Sequence, residues 1–264
     1  MQAKFGIERE LDNRLRIIDY EGGNGDFHFH SQIEICIVTA GEIDALVNNN
    51  RKRLCAGELS VALGYDTHLY TPVGKAQFSV LILPSDICRD FTDFAGNKKI
   101  ASPFIKTSRP ASRICDCFYE IKNNHNNPLI VKGNIYIILG LIAKNVVFAE
   151  NETGVTDDLI SKILLYIHGN YTDNISLSSI ARRFGYNGSY ISQLFKSSFN
   201  IGIARYINIL RLKNAVSLMQ QRKYSTTYCA IESGFSSLRT FYRVFSSEFG
   251  CSPKVYLKQE KLHG

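Results

Sequence analysis

Seven polar side chains, set at helical spacing on two short segments, carry the chemistry that is easiest to read from this sequence. Ser189, Ser192, Gln193 and Lys196 share one face of the segment from Asn187 to Phe199, and Arg239, Thr240 and Arg243 share one face of the segment from Ser236 to Phe249. Short polar side chains and cations on an exposed helix face suit the edges of base pairs in a major groove. An arginine can take the O6 and N7 of guanine through two hydrogen bonds, which discriminates against other bases by about 1–3 kcal/mol. Lys196 suits a phosphate better than a base. For Arg239 and Arg243, base reading and phosphate contact both stay open.

Each face needs a helix behind it to hold it out. Upstream of the first lies Ile175 to Tyr186, and upstream of the second lies Ser225 to Phe235. Ala181 and Gly185 recur as Ala230 and Gly234, 49 residues on, and Phe195 recurs as Phe245. A small alanine permits close helix approach, and a glycine can adopt the left-handed conformation that ends a helix in a tight turn. Ser176 and Ser225 are placed to cap the leading helices. The inner faces read Leu177, Ile180, Ala181 and Phe184, then Tyr190, Ile191, Leu194 and Phe195 in the first pair. In the second, Leu238, Phe241, Phe245 and Phe249 form the stripe. Ile203 to about Arg222 reads as one unbroken helix. Some 20 residues span about 30 Å, close to the roughly 34 Å of one duplex turn. The connector could therefore hold both pairs in successive major grooves. A helix from Thr156-Asp157-Asp158, read as its N-cap and acidic first turn, to about His168 precedes the pairs. Ser252-Pro253 opens a last helix through Tyr256.

This half resembles the AraC/XylS family of bacterial transcription regulators. The residues that carry the resemblance are Ile175 to Ala181, Tyr190 to Lys196, Tyr206 to Leu212 with Ala215, Gly234 to Phe245, and Phe249 to Pro253 with Tyr256. Asn200 stands where a glycine is usual, and Cys229 where an isoleucine is usual. The resemblance implies binding to double-stranded DNA and contact with RNA polymerase, commonly as an activator.

Charge separates the two halves. Residues 156–264 hold 14 Lys/Arg and 6 Asp/Glu, whereas residues 1–155 hold 17 and 18, so the net charge of +7 comes from the second half. A basic part beside a neutral one suggests a polyanion-binding domain joined to a domain with another task. Seven cysteines without a CxxC pair suit a reducing, cytoplasmic setting, with Cys36, Cys229 and Cys251 as buried thiols and Cys115/Cys117 as a lone C-x-C. No signal peptide is legible at the N-terminus. The apolar run Ile135 to Ala143 is far shorter than the roughly 20 residues of a membrane span.

The first half reads as strands and then helices. Residues 1–20 suggest an edge strand. Phe27 to Val38 alternates, with Phe27, Phe29, Ile33, Ile35 and Ile37 opposite His28, His30 and Glu34. Turns are expected at Ala40-Gly41-Glu42 and Asn48-Asn49-Asn50, with further strands at Ile43 to Val47, Leu54 to Leu63 and Gln77 to Leu83. Helices are expected over Pro84 to Phe94, Arg109 to Asn123 and Gly133 to Glu150, with a break at Asn123 to Pro128 and a linker at Asn151 to Val155. The spacing Gly22, His28-Phe29-His30, Glu34, Gly41, and then Gly57 with His68, resembles the cupin superfamily, although Leu63, Tyr65 and Pro72 depart from its second motif. That resemblance implies a small barrel with an internal pocket. In metal-binding cupins the matching His28, His30, Glu34 and His68 would be ligands, a donor set for Zn, Fe, Mn or Ni. The expectation is that they line an effector pocket, with no metal or other cofactor.

The reading is therefore an α+β chain. Residues 1–152 form an antiparallel, cupin-like β-barrel with helices, for effector binding and dimerisation. Residues 156–264 form an all-α domain with two helix-turn-helix motifs joined by a long helix. The expected function is sequence-specific DNA binding by a cytoplasmic, non-enzymatic transcription regulator controlled by a small effector, forming homodimers through the helices at 110–150 and without membrane association. The alternatives are a metal-dependent cupin enzyme fused to a DNA-binding domain, and a constitutive dimeric binder.

Overall fold

A computed structural model describes residues 3–6, 9–10, 14–23, 25–84, 87–96, 98–106, 108–149 and 155–263, with side chains from 159 in the last stretch except at 161 and 259–263. The chain divides into two compact units: Met1–Arg9 with Arg14–Glu152, and Glu10–Asn13 with Thr153–Gly264. The linker expected at Asn151 to Val155 and the cap expected at Thr156-Asp157-Asp158 fall outside the described residues or side chains. The helix of that region runs Val155–Asn170.

The first unit is built on two long strands. In chain order its strands are β1 (Lys4–Phe5), β2 (Arg16–Glu21), β3 (His28–Phe29), β4 (Ile33–Val47), β5 (Asn50–Cys55), β6 (Leu59–Ala62), β7 (His68–Leu83), β8 (Lys99–Ile100), β9 (Phe104–Ile105) and β10 (Phe148–Ala149). Eight of them form one sheet in the order β1-β3-β7-β4-β6-β9, with β2 also on β7 and β5 also on β4. Every pairing in it is antiparallel except β1 with β3.

The turn expected at Ala40-Gly41-Glu42 is instead an irregularity inside β4, where the register against β7 shifts twice. Gly41 has φ +71°, and a β-carbon there would lie 2.5 Å from the Lys75 carbonyl oxygen. Only glycine fits so close a crossing of two backbones.

The expected closed barrel is not formed. The ladder of pairings runs from β1 to β9 without returning on itself among the described residues. The reason lies in the sequence of β4 and β7, which is apolar on both parities. Cys36, Val38, Phe78, Val80 and Ile82 pack with Tyr70 on one face. Ile33, Ile35, Ile37, Leu81 and Leu83 pack on the other against helices. Those helices, α1 (Arg89–Ala95), α2 (Arg109–Asn123) and α3 (Pro128–Asn145), supply cover that closure would otherwise have to give. Ile114, Phe118, Ile135, Ile138 and Ile142 are their inward residues. The third starts earlier than its periodicity suggests, because the Asn127 side chain accepts from the amides of Leu129 and Ile130 ahead of Pro128. It also ends earlier, since Phe148–Ala149 leaves the helix to pair with β8.

The second unit is helical: α4 (Val155–Asn170), α5 (Leu177–Phe184), α6 (Gly188–Phe199), α7 (Ile203–Gln220), α8 (Thr226–Glu232), α9 (Leu238–Phe249) and α10 (Pro253–His263). Ser176, Asn187, Ser225 and Ser237 each accept a backbone amide at a helix start. Gly185 (φ 76°), Asn200 (φ 56°) and Gly250 (φ 68°) end helices in the left-handed conformation, so Asn200 serves where glycine is usual. All seven cysteines are free thiols. Cys251 is half-buried rather than buried, and Cys55 is exposed.

Candidate DNA interface and a buried histidine–glutamate cluster

Two helix pairs repeat with matching internal contacts. In the first, the Tyr186 amide donates to the Ala181 carbonyl at 3.0 Å, and in the second the Phe235 amide donates to the Ala230 carbonyl at 3.1 Å. The trailing helices end alike. Phe195 and Phe199 stack at 4.4 Å and meet Tyr206 of α7 at 5.3 and 5.7 Å. Phe245 and Phe249 lie 4.5 Å apart and meet Tyr256 of α10 at 5.7 and 4.7 Å. Each trailing helix is thus fixed by an aromatic triad, and its opposite face is free to project. At Gly234 (φ +88°) a β-carbon would lie 2.5 Å from the Thr172 carbonyl oxygen, so this turn sits against the loop after α4.

The projecting faces hold the predicted side chains. Ser189, Gln193 and Lys196 are exposed on α6 with Ser192 half-exposed, and Arg239 and Arg243 are exposed on α9 with Thr240 half-exposed. The Thr240 hydroxyl lies 3.0 Å from the Ser237 hydroxyl, so it also belongs to the cap of α9. Tyr190, expected inside, is 41 % exposed and stacks on Tyr186 at 5.2 Å. A tyrosine satisfies either side of an amphipathic pattern, and here the ring pair covers the turn from outside. Tyr242, adjacent to Arg243 and 44 % exposed, is a further surface residue of α9 that side-chain polarity alone does not single out.

The connector α7 covers 18 residues, or about 27 Å. It is tied at several points. The Arg211 guanidinium donates to the carbonyls of Tyr171 and Asp173 at 2.7 and 2.8 Å. Asn214 donates to Ser233 at 3.2 Å beside the second turn. Arg205 meets Glu248 at 2.9 and 3.0 Å through two hydrogen bonds.

In the first unit, β3, the entry to β4 and the start of β7 bring His28, His30, Glu34 and His68 together. One ligand atom of each lies within 4.8 Å of the others. His30, Glu34 and His68 are buried. Glu34 bridges two rings, with His30 Nε2 at 3.1 Å and His68 Nε2 at 3.3 Å. The Nδ1 of His28 lies 2.7 Å from the Asp26 carbonyl, and that of His68 lies 2.9 Å from the Asp66 carbonyl. A ring N–H donated to a carbonyl leaves Nε2 turned toward the cluster, where it offers a lone pair whenever the ring is neutral. His28 Nε2 and His30 Nδ1 have no hydrogen-bond partner among the described residues. Asp66 is itself held by Asn48 at 2.6 Å and by the Leu63 amide at 2.9 Å. Spacing alone pointed to the four donors but not to these supports.

Burial, together with the neighbouring His68, lowers His28 to about 4, and burial also lowers His30. Burial alone would raise Glu34, but His68 and His30 hold it well below the usual carboxylate range. Burial alone would lower His68, but Glu34 holds it up. The cluster therefore pairs one anionic carboxylate with neutral rings and one ring inclined to carry charge. Its donor types and buried orphan nitrogens fit a divalent transition metal.

The profile of a helix-turn-helix domain family matches residues 180–259, from within α5 to within α10. The chain is similar to the Msm operon regulatory protein of Streptococcus mutans, at 26% identity over 135 residues, or 50% of this chain and 49% of that protein. The match thus spans about half the length of that relative. It is also similar to the melibiose operon regulatory protein of Escherichia coli K12, at 21% identity over 251 residues, or 88% of this chain and 83% of that one. Among solved structures, ToxT from Vibrio cholerae O395 aligns at 15% identity with a TM-score of 0.44, covering 93% and 98% of the two chains. The AraC-like transcriptional activator CuxR aligns at 17% with a TM-score of 0.42, covering 77% and 72%. Residues 180–259 thus match a helix-turn-helix domain, and the proteins to which the chain is similar are operon regulatory proteins, in keeping with its resemblance to the AraC/XylS family.

Proposed function

We propose that both helix pairs read DNA, α6 through Ser189, Ser192, Gln193 and Lys196, and α9 through Arg239, Thr240 and Arg243. The observation that carries this reading is the repeated aromatic triad behind each projecting face. It fixes two similar helices at the two ends of one connector. Replacing Arg239 or Gln193 with alanine should relax base preference in one block of the bound sequence each, at a cost of about 1–3 kcal/mol for a bidentate contact. Binding preferences unchanged in both variants would remove these residues from the reading face.

In this reading the first unit is the regulatory part of a cytoplasmic protein, which responds to a small effector at His28, His30, Glu34 and His68. Homodimerisation is supported by Tyr119, Leu129, Tyr136 and Ile137, large apolar residues exposed on α2 and α3. Light scattering at micromolar concentration tests it. Contact with RNA polymerase is what the resemblance to the AraC/XylS family implies, and transcription with purified components tests it.

A specific observation favours a second reading of the effector. The four donors lie within 4.8 Å of one another, and the adjoining interior is filled by Cys36, Val38, Tyr70 and Phe78. That spacing suits an ion held between the side chains better than an organic molecule. The same four residues would be the ligands, and the ion would tie β3, β4 and β7 together. Calorimetric titration with zinc tests this, and His30→Ala with Glu34→Ala should abolish the heat of binding.

A further inference from the structure

Beside the second projecting helix lies an open groove of about 690 Å³. It is walled by the end of α7, the start of α8, Tyr242 of α9 and the first turns of α10. Three cations line it, Arg222, Lys254 and Lys258, and among the described residues no acidic side chain does. Among the described residues none of the three makes an ion pair, in contrast to Arg205 with Glu248 on the same unit. Arg222 stands at φ 55°, a left-handed position where glycine or asparagine would be less strained. Tyr242 is next to Arg243 and three positions after Arg239, so the groove begins where the projecting face of α9 ends.

We propose that this groove is a track for the DNA backbone, in which Arg222, Lys254 and Lys258 contact phosphates of the duplex read by α9. The proposal rests on the DNA-reading role of α9 and extends it to residues that carry no sequence information. A helix seated in a major groove has a phosphate strand running along its flank, and unpaired cations on that flank replace condensed counterions. The three side chains would then set affinity and register, while Arg239 and Arg243 set preference.

The test uses the full-length protein with a fragment it has itself selected, and reads the logarithm of the binding constant against the logarithm of salt concentration. Removing one cation from a phosphate should lower the slope by about 0.9. A triple variant, Arg222→Ala with Lys254→Ala and Lys258→Ala, should therefore flatten it by about 2.7 with the same base preference. Should the triple variant fail to fold, Lys254→Ala and Lys258→Ala alone should each give about 0.9. Lys75→Ala, on the first unit, serves as the control and should leave the slope unchanged. A wild-type slope retained in the variants overturns the proposal. So does saturable binding of inorganic phosphate that the same substitutions abolish while the DNA slope stays, since the groove would then hold a small anion. A wild-type protein with no sequence preference would instead count against the reading role of α9.

Discussion

Arg205 at the start of the connector helix grips Glu248 near the end of the second projecting helix, through hydrogen bonds of 2.9 and 3.0 Å. The Glu248 side chain is nearly buried while that of Arg205 is half-exposed. The pair therefore locks α9 against the helix that leads out of the first pair. It ties the second candidate reading helix to the connector.

Arg205→Ala should cost about 1–3 kcal/mol in unfolding free energy, because the nearly buried Glu248 carboxylate loses its charged hydrogen-bond donor. Affinity for DNA bearing both blocks should fall more than affinity for either block alone. Equilibrium binding to whole and half sites measures this, and equal losses on all three fragments would contradict a positioning role.

The two turn glycines should respond differently to alanine. Gly185 (φ +76°) has open space where a β-carbon would go, so Gly185→Ala should cost only the left-handed strain, about 1–2 kcal/mol. Gly234 (φ +88°) faces the Thr172 backbone at 2.5 Å. Gly234→Ala should exceed about 3 kcal/mol, because backbone must move as well. Urea unfolding of the two variants gives the comparison, and equal losses would mean that the Thr172 loop yields.

Zinc should stabilise the protein through the histidine–glutamate cluster. At 100 times its dissociation constant, a bound ion adds about 2.7 kcal/mol. A rise in Tm on adding zinc, absent in His68→Ala, is the expected result. A Tm that does not move would return the cluster to the role of a polar effector site.

Acid should weaken the fold through His168. Burial, with Lys213 adding to it against the opposing pull of Glu10, lowers this ring to about 4. The unfolded chain takes up a proton near the ordinary value of about 6.5, while the folded chain resists until about 4. The contribution of His168 is therefore constant above about 6.5 and is lost as pH falls toward 4, on the order of 2 kcal/mol by pH 5. Urea unfolding at pH 7 and pH 5 should show that loss, and His168→Asn should show a smaller one. An identical pH dependence in the variant would contradict the assignment.

The helical unit was legible because its signals are local. Caps at Ser176 and Ser225, turns at Gly185 and Gly234 and the phenylalanine stripes all lie within a few residues of what they shape. The sheet was harder to read because its outcome depends on distant partners. Gly41 resembles a turn residue, and only the pass of β7 at Lys75 makes it an irregularity in a long strand. Apolar residues on both parities of β4 and β7 do not say what covers the second face, so closure was expected where helices do the work. The four donors could be placed together by spacing, but the carbonyls of Asp26 and Asp66 that aim two of the rings could not. Hydrogen bonds to backbone leave no trace in residue type. Tyr190 shows the limit of stripe reading, since its ring and hydroxyl suit either side of a helix.

The central claim is that two helices on one rigid connector read DNA together. Selection of bound fragments from random DNA by the full-length protein, at about 0.15 M salt, tests it most directly. The account predicts two short conserved blocks about one helical turn, some 10 base pairs, apart. Enrichment of a single block, or binding that only fades with salt and shows no preferred sequence, would contradict it.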